Sequence, residues 1–202
     1  MVSDVNIKFF TQVFVTLLVI MDPLGNVPIF LSLSAKYSKK ARSRLALESV
    51  IVAGAVIAAF AIFGKEILSY LGITIPALQG SGGLLLLLVA LQLLTGKEET
   101  QTQVGEVSIA LVPLGTPLIA GPGAIAATIV FAKEAHGSGD VLAIALALGA
   151  VLILLWASLR FSLGVLKLLR EGGILLLTRV FGLLLAAIAV QLVAESIHGF
   201  MS

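Results

Sequence analysis

Long apolar stretches separated by short polar ones run through the whole chain. Six are long enough to cross a hydrocarbon layer as helices: roughly Lys8 to Ala35, Leu45 to Tyr70, Ile75 to Thr95, Val107 to Ala132, Val141 to Leu169, and Ile174 to Ile197. A layer about 30 Å thick needs about 20 apolar residues in a helix. Leu, Ala, Ile and Val scatter with a helical period, and no stretch alternates as a barrel strand would. Two stretches break this rule of unbroken apolarity. The first contains VIMDPLGNVPIFLSL and the fourth contains VPLGTPLIAGPGAIAAT.

Composition agrees with the pattern. Of 202 residues, 59% are hydrophobic and 12% charged, with mean hydropathy +1.13. A soluble domain carries about 25% charged residues, so this chain lacks the polar surface to coat a water-soluble globule. The first stretch has neither a basic leader nor a small-residue cleavage site, and reads as a span rather than a signal peptide. With no cysteine, disulfides and thiolate metal sites are excluded. No metal or cofactor is expected. The net charge of +2 has no dense basic stripe, so nucleic acid is not an expected partner.

The basic residues set an orientation. Lys36, Lys39, Lys40, Arg42, Arg44, Lys97, Arg160, Lys167, Arg170 and Arg179 flank the connections after spans one, three and five, whereas Lys8, Lys65 and Lys133 fall on the other side. The positive-inside rule predicts cytoplasmic connections after those three spans and both termini outside.

The chain also repeats. GGLLLLLVALQLL in span three and FGLLLAAIAVQLV in span six each place a glycine nine positions before a glutamine, Gly83 with Gln92 and Gly182 with Gln191. The offset, 182 − 83 = 99, also carries Pro23 to Pro122. The expected fold is therefore an all-α integral membrane protein. It is one transmembrane domain over 1–202, made of repeat 1 (about 1–98) and repeat 2 (about 99–202). Three spans per copy is an odd number, so the copies enter the membrane from opposite sides, as in secondary transporters with inverted repeats and discontinuous helices.

The first and fourth helices are the expected discontinuous ones. Pro23 and Pro28, and then Pro113, Pro117 and Pro122, each remove an N–H and free a carbonyl one turn back. Gly115, Gly121 and Gly123 loosen the fourth span further. Unpaired backbone groups survive at membrane depth only in protein or in a polar cavity. Each break also creates a new helix N-terminus with partial positive charge. Asn26 is a candidate N-cap for the half-helix after the first break, and Gly121–Pro122 suits the start of the second. A zwitterion fits such a place. Its carboxylate would take N–H groups around Gly25, Asn26 and Val27, or around Gly123 and Ala124, and its ammonium would take carbonyls and Asp22. Asp22 is the one carboxylate expected near mid-membrane, and also a candidate for the coupling-ion site. Gln92 and Gln191 read as interhelical glue, and Glu195 as an interfacial side chain.

DPLGNVP, PLGTPLIAGPGAI and GLLLAAIAVQ together resemble the MarC-like family of prokaryotic membrane proteins, over essentially the whole chain. The resemblance implies a plasma-membrane carrier similar to transporters of small neutral amino acids such as glycine and alanine. Asp22, Pro23, Gly25, Asn26 and Pro28, with Gly115, Thr116, Gly121, Pro122 and Gly123, would hold the substrate. The expected function is secondary active transport of small neutral amino acids, coupled to H+ or Na+, with a homo-oligomer left open. No nucleotide-binding loop is present to supply ATP. Two alternatives differ in class. A channel for small solutes or water shares the repeat architecture. An intramembrane hydrolase would need Ser81 and His198 as nucleophile and base, with no carboxylate spaced to orient the histidine; no enzyme activity is expected.

Overall fold

A computed structural model describes residues 6–95 and 120–201. Among these it contains seven helices: α1 (Ile7–Met21), α2 (Asn26–Leu33), α3 (Lys39–Tyr70), α4 (Ile75–Thr95), α5 (Pro122–Glu134), α6 (Ser138–Arg160) and α7 (Ser162–Met201). Four stretches are long and apolar enough to cross a membrane: Lys39–Gly64, Ile75–Thr95, Ser138–Arg160 and Gly172–Met201. The pair α1 and α2, bent by 44° at its break, makes a fifth if the two halves form one broken span. α5 is the second half of the expected fourth span. The first half of that span lies outside the described residues, and Pro113, Gly115, Thr116 and Pro117 lie outside with it.

The helix ends follow their side chains. Asn6 caps α1 by accepting from the Phe9 N–H at 3.1 Å, and Ser38 caps α3 by accepting from Ala41 at 3.3 Å. That cap starts α3 before Leu45, the expected start of the second span. α4 matches the expected third span at both ends. The fifth span ends at Arg160 rather than Leu169, because Phe161 leaves the helix and Ser162 begins α7. α7 is itself interrupted at Arg170, with φ 54° and ψ 170°. Its first turns form a connecting segment, and the span proper begins at Gly172.

Two apolar clusters organise the packing. One joins α1, α2, α3, α5 and α6 through Val13, Leu17, Met21, Phe30, Ile57, Ala124, Ala147, Val151 and Leu155. The other joins Val19 of α1 to Leu86 and Ala90 of α4 and to Leu185 and Ala189 of α7. The outer faces are apolar too: Ile51, Leu88, Ile153, Leu176, Leu183 and Val190 are each more than half exposed. In water such a surface would drive aggregation; hydrocarbon is the solvent it suits.

The closest helix pair is α4 with α7, and glycine makes it close. A Cβ placed on Gly83 would stand 2.8 Å from the Ala189 carbonyl oxygen and 2.8 Å from Val193 Cγ2, and one on Gly182 would stand 3.3 Å from the Ala90 carbonyl oxygen. These contacts are reciprocal: Gly83 and Gly182, like Ala90 and Ala189, are 99 residues apart. Further pairings join α1 to α6, α3 to α5, α3 to α6, α1 to α5, α4 to α5, and α7 to both α1 and α2.

Gly83→Ala is expected to push backbone from backbone, at about 1–3 kcal/mol for overpacking. Gly149→Ala on α6 meets nothing within 4 Å and serves as the control. Thermal melting in detergent should show Gly83→Ala lower by about 5 °C and Gly149→Ala unchanged or higher; equal melting of the two would contradict the close crossing.

Candidate functional site at the break of the first span

The break occupies Asp22 to Gly25. Asp22 ends α1 in the left-handed region, with φ 33° and ψ 74°, and its N–H still donates to the Leu18 carbonyl at 3.1 Å. Aspartate tolerates this conformation better than most residues, and the following proline disfavours helix at the position before it. Pro23 is buried, as are Asp22 (5% exposed) and Asn26 (7%).

The polar groups at the break largely satisfy one another. Asp22 Oδ1 accepts from the Gly25 N–H at 3.0 Å. The Asn26 side-chain amide donates to the Met21 carbonyl at 2.7 Å and to the Asp22 carbonyl at 3.0 Å. The Asn26 N–H donates to the Asp22 carbonyl at 3.1 Å, and the Val27 N–H to the Leu24 carbonyl at 3.1 Å. Two expectations are corrected by this. Asn26 does not cap α2; Gly25 is the N-cap residue, without a side-chain bond, and Asn26 instead closes the carbonyl end of α1. The N–H groups of Gly25, Asn26 and Val27 are engaged inside the break and not held open for a carboxylate. Pro28 is also corrected as a break. It stands in the first turn of α2, where its missing N–H has no helical partner to lose, and its side chain is exposed.

Of the expected second break the described part is the start of α5, the rest lying outside the described residues. Gly121 is the N-cap with φ −58° and ψ 164°, and Pro122 takes the first helical position, as the sequence predicts. Ala124 and Ile125 both donate to the Gly121 carbonyl, at 3.0 and 3.2 Å. Gly123 packs directly on Leu86 of α4, with Ile20 of α1 beside it, and Ala124 is fully buried in the first cluster. The start of α5 therefore packs beside α1 and α4.

One polar side chain at the first break went unnoticed in the sequence. A Cβ on Gly25 would collide with the Asp22 carboxylate and stand 3.1 Å from Thr178 Oγ1 of α7. Thr178 is 8% exposed, and its hydroxyl has no hydrogen-bond partner among the described residues. The available signal was the repeat itself, since 178 − 99 = 79 pairs Thr178 with Gln79, a polar residue in an apolar span.

The remaining polar residues gather elsewhere. Glu195 accepts from Gln79 at 3.3 Å and from Gln191 at 2.8 Å, so Gln79 links α4 to α7 while Gln191 bonds within its own helix. With His198 and Gly199 they line a cavity of about 490 Å³ at one end of the α4–α7 pair. Nearby, burial and Glu195 push the Glu134 carboxyl above its ordinary range, while His136 acts the other way. Ser81 lines a separate cavity of about 310 Å³ between α3, α4 and α5, and donates its hydroxyl to the Leu78 carbonyl at 3.1 Å. Ser81 and His198 are thus not brought together.

The family description "MarC family integral membrane protein" matches residues 7–201. The chain belongs to the MarC family. UPF0056 membrane protein MJ1677 of Methanocaldococcus jannaschii is 39% identical over 201 residues, covering 96% of this chain and 98% of that one. UPF0056 membrane protein YvbG of Bacillus subtilis is 32% identical, covering 95% of each chain, and YhcE of Escherichia coli is 30% identical, covering 92% of this chain and 90% of its own. No solved structure matches. This MarC-family chain is an integral, multi-pass membrane protein.

Because the Asn26 amide donates to the buried Met21 carbonyl, its loss leaves that carbonyl unmet, at about 1–3 kcal/mol, while the Asp22 carbonyl keeps the Asn26 N–H. Asn26→Asp is nearly isosteric but cannot donate when ionised. Melting in detergent should place wild type well above Asn26→Ala, with Asn26→Asp no better than the alanine variant; a wild-type-like Asn26→Asp would contradict the capping role.

Proposed function

We propose that this MarC-family protein is a secondary transporter of small neutral amino acids in the prokaryotic plasma membrane. Its substrate sits where the first and fourth spans break, and transport is coupled to H+ or Na+. The observation that carries the reading is the buried break at Asp22–Gly25, which keeps a carboxylate and irregular backbone inside an apolar bundle. Such features at membrane depth are costly and mark a substrate or ion path.

The helix pairings support two inverted three-span repeats. Exchange of spans one, two and three with four, five and six turns α1–α6 into the fourth span with α3, and turns α4–α5 into α7 with α1 and α2. Each of those pairs is present. It turns α4–α7, α1–α5 and α3–α6 into themselves. The reciprocal glycine contacts lie on the pair that the exchange leaves in place. On this reading both termini are outside and the arginine- and lysine-rich connections are cytoplasmic.

The amino group of the substrate would lie toward Asp22. Its carboxylate would lie toward the Gly123 N–H at the start of α5, since the N–H groups of Gly25, Asn26, Val27 and Ala124 are already bonded. Tight packing of Gly123 and Gly25 favours a small substrate such as glycine or alanine. No catalytic step and no cofactor belong to this reading.

The test is uptake of labelled glycine and alanine into proteoliposomes under an imposed pH gradient or an imposed Na+ gradient. Uptake should saturate, and the two substrates should compete. Asp22→Asn should cut the initial rate about tenfold or more, as for loss of a hydrogen-bonded charge, without loss of insertion. Gly123→Leu should do the same by steric filling. Non-saturating flux would make the protein a channel, and absence of flux would remove the transport reading.

A further inference from the structure

We propose that the Thr178 hydroxyl of α7 and the Asp22 carboxylate form a binding site for a compact monovalent cation across the bare Cα of Gly25. The inference deepens the transport reading, because the cation is either a free alkali ion or the ammonium end of the substrate.

The case begins with what buried hydroxyls do elsewhere in this protein. Ser34, Ser49 and Thr128 each donate to the carbonyl four residues back, at 2.6, 2.8 and 2.7 Å, and Ser196 donates to the Pro76 carbonyl at 2.7 Å. That is the ordinary way to neutralise a hydroxyl inside an apolar bundle. Thr178 forgoes it. Its Oγ1 is buried, has no hydrogen-bond partner among the described residues, and lies toward the break instead. A buried polar group without a partner costs about 1–3 kcal/mol, so it persists where something absent from the bare chain completes it.

The surroundings select the chemistry. The neighbour across Gly25 is the Asp22 carboxylate, whose Oδ1 is anchored by the Gly25 N–H. Carboxylate and hydroxyl oxygens together attract a hard cation or an N–H donor and repel an anion. A Cβ on residue 25 would collide with the Asp22 carboxylate and stand 3.1 Å from Thr178 Oγ1, so only glycine lets these two oxygens lie on either side of its Cα. The site is also built from both halves of the chain, because Asp22 and Gly25 lie before residue 98 and Thr178 lies after it. A cation bound here would hold α7 against the break of the first span.

The experiment is thermal melting of the purified, detergent-solubilised full chain with four probes: Na+, K+, glycine, and acetate as an anion without an ammonium. Choline replaces the alkali ions in the baseline. Site occupancy at saturating ligand should raise the melting temperature by about 5 °C. Thr178→Val, which keeps the shape and removes the hydroxyl, should abolish that shift, and Thr178→Ser should restore it. A Na+ or K+ shift that follows this pattern identifies a free alkali-ion site, whether or not glycine binds. A shift with glycine alone, equally dependent on Thr178, identifies the ammonium site. A shift that Thr178→Val leaves intact, or none with any cationic probe in wild type, overturns the proposal. Glycine flux in proteoliposomes, measured in parallel, keeps its failure separate from that of the transport reading.

Discussion

Inside hydrocarbon a backbone carbonyl has no water to turn to, and the break in the first span exists only because the carbonyls it exposes are met from within. One side chain does most of this. The Asn26 amide reaches back to the carbonyls of both Met21 and Asp22, while Asp22 takes the Gly25 N–H. The chain thus bends by 44° with its polar groups closed on themselves. Without that closure the apolar residues on either side would favour a straight helix or an unfolded one, since each unmet group costs several kcal/mol at this depth.

This closure changes what the break can offer a ligand. Broken helices are expected to present bare N–H and carbonyl ends, and here those ends are mostly bonded to each other. What remains is carried by side chains and by the start of α5: the Asp22 carboxylate, the Thr178 hydroxyl and the turn around Gly123. Under the transport reading, recognition would therefore rest less on helix dipoles than the sequence pattern implies and more on a few placed oxygens. Such a site would discriminate by charge and size, because the chain packs closely around the glycines at 25 and 123.

The parts legible in the sequence are those fixed by covalent geometry and solvent. Pro23 cannot continue a helix, Gly121–Pro122 is suited to begin one, and the apolar run Ile75–Thr95 has no alternative to spanning as α4. The glycines at 83 and 182 were visible as a repeat before their packing was. The parts not legible depend on which of two partners a side chain takes. Asparagine at a helix start ordinarily caps that helix, and only the 44° bend brings the preceding carbonyls within its reach. Threonine in a span ordinarily bonds its own helix, and nothing local marks Thr178 as an exception. Arg170 departs from helix with a positive φ that its residue type does not announce.

The pairings of the helices bear on how such a site could open to either side. In an inverted repeat the two outward and inward arrangements are the same structure with the copies exchanged, so a pair that maps onto itself need not move between them. On the proposed inverted-repeat reading the α4–α7 crossing would be such a pair, and its backbones approach closely through Gly83 on Ala189 and Gly182 on Ala90. Close-packed surfaces of this sort resist gradual deformation. On that reading the helices that would exchange partners are α1 with α2, which carry the break at Asp22–Gly25, and α5. Rigidity and interruption would then be divided between different helices, and Thr178, on α7 but close to the break, would stand at the boundary between the two. A group bound between Thr178 and Asp22 would couple the moving part to the fixed one, so its occupancy would bias which way the bundle opens.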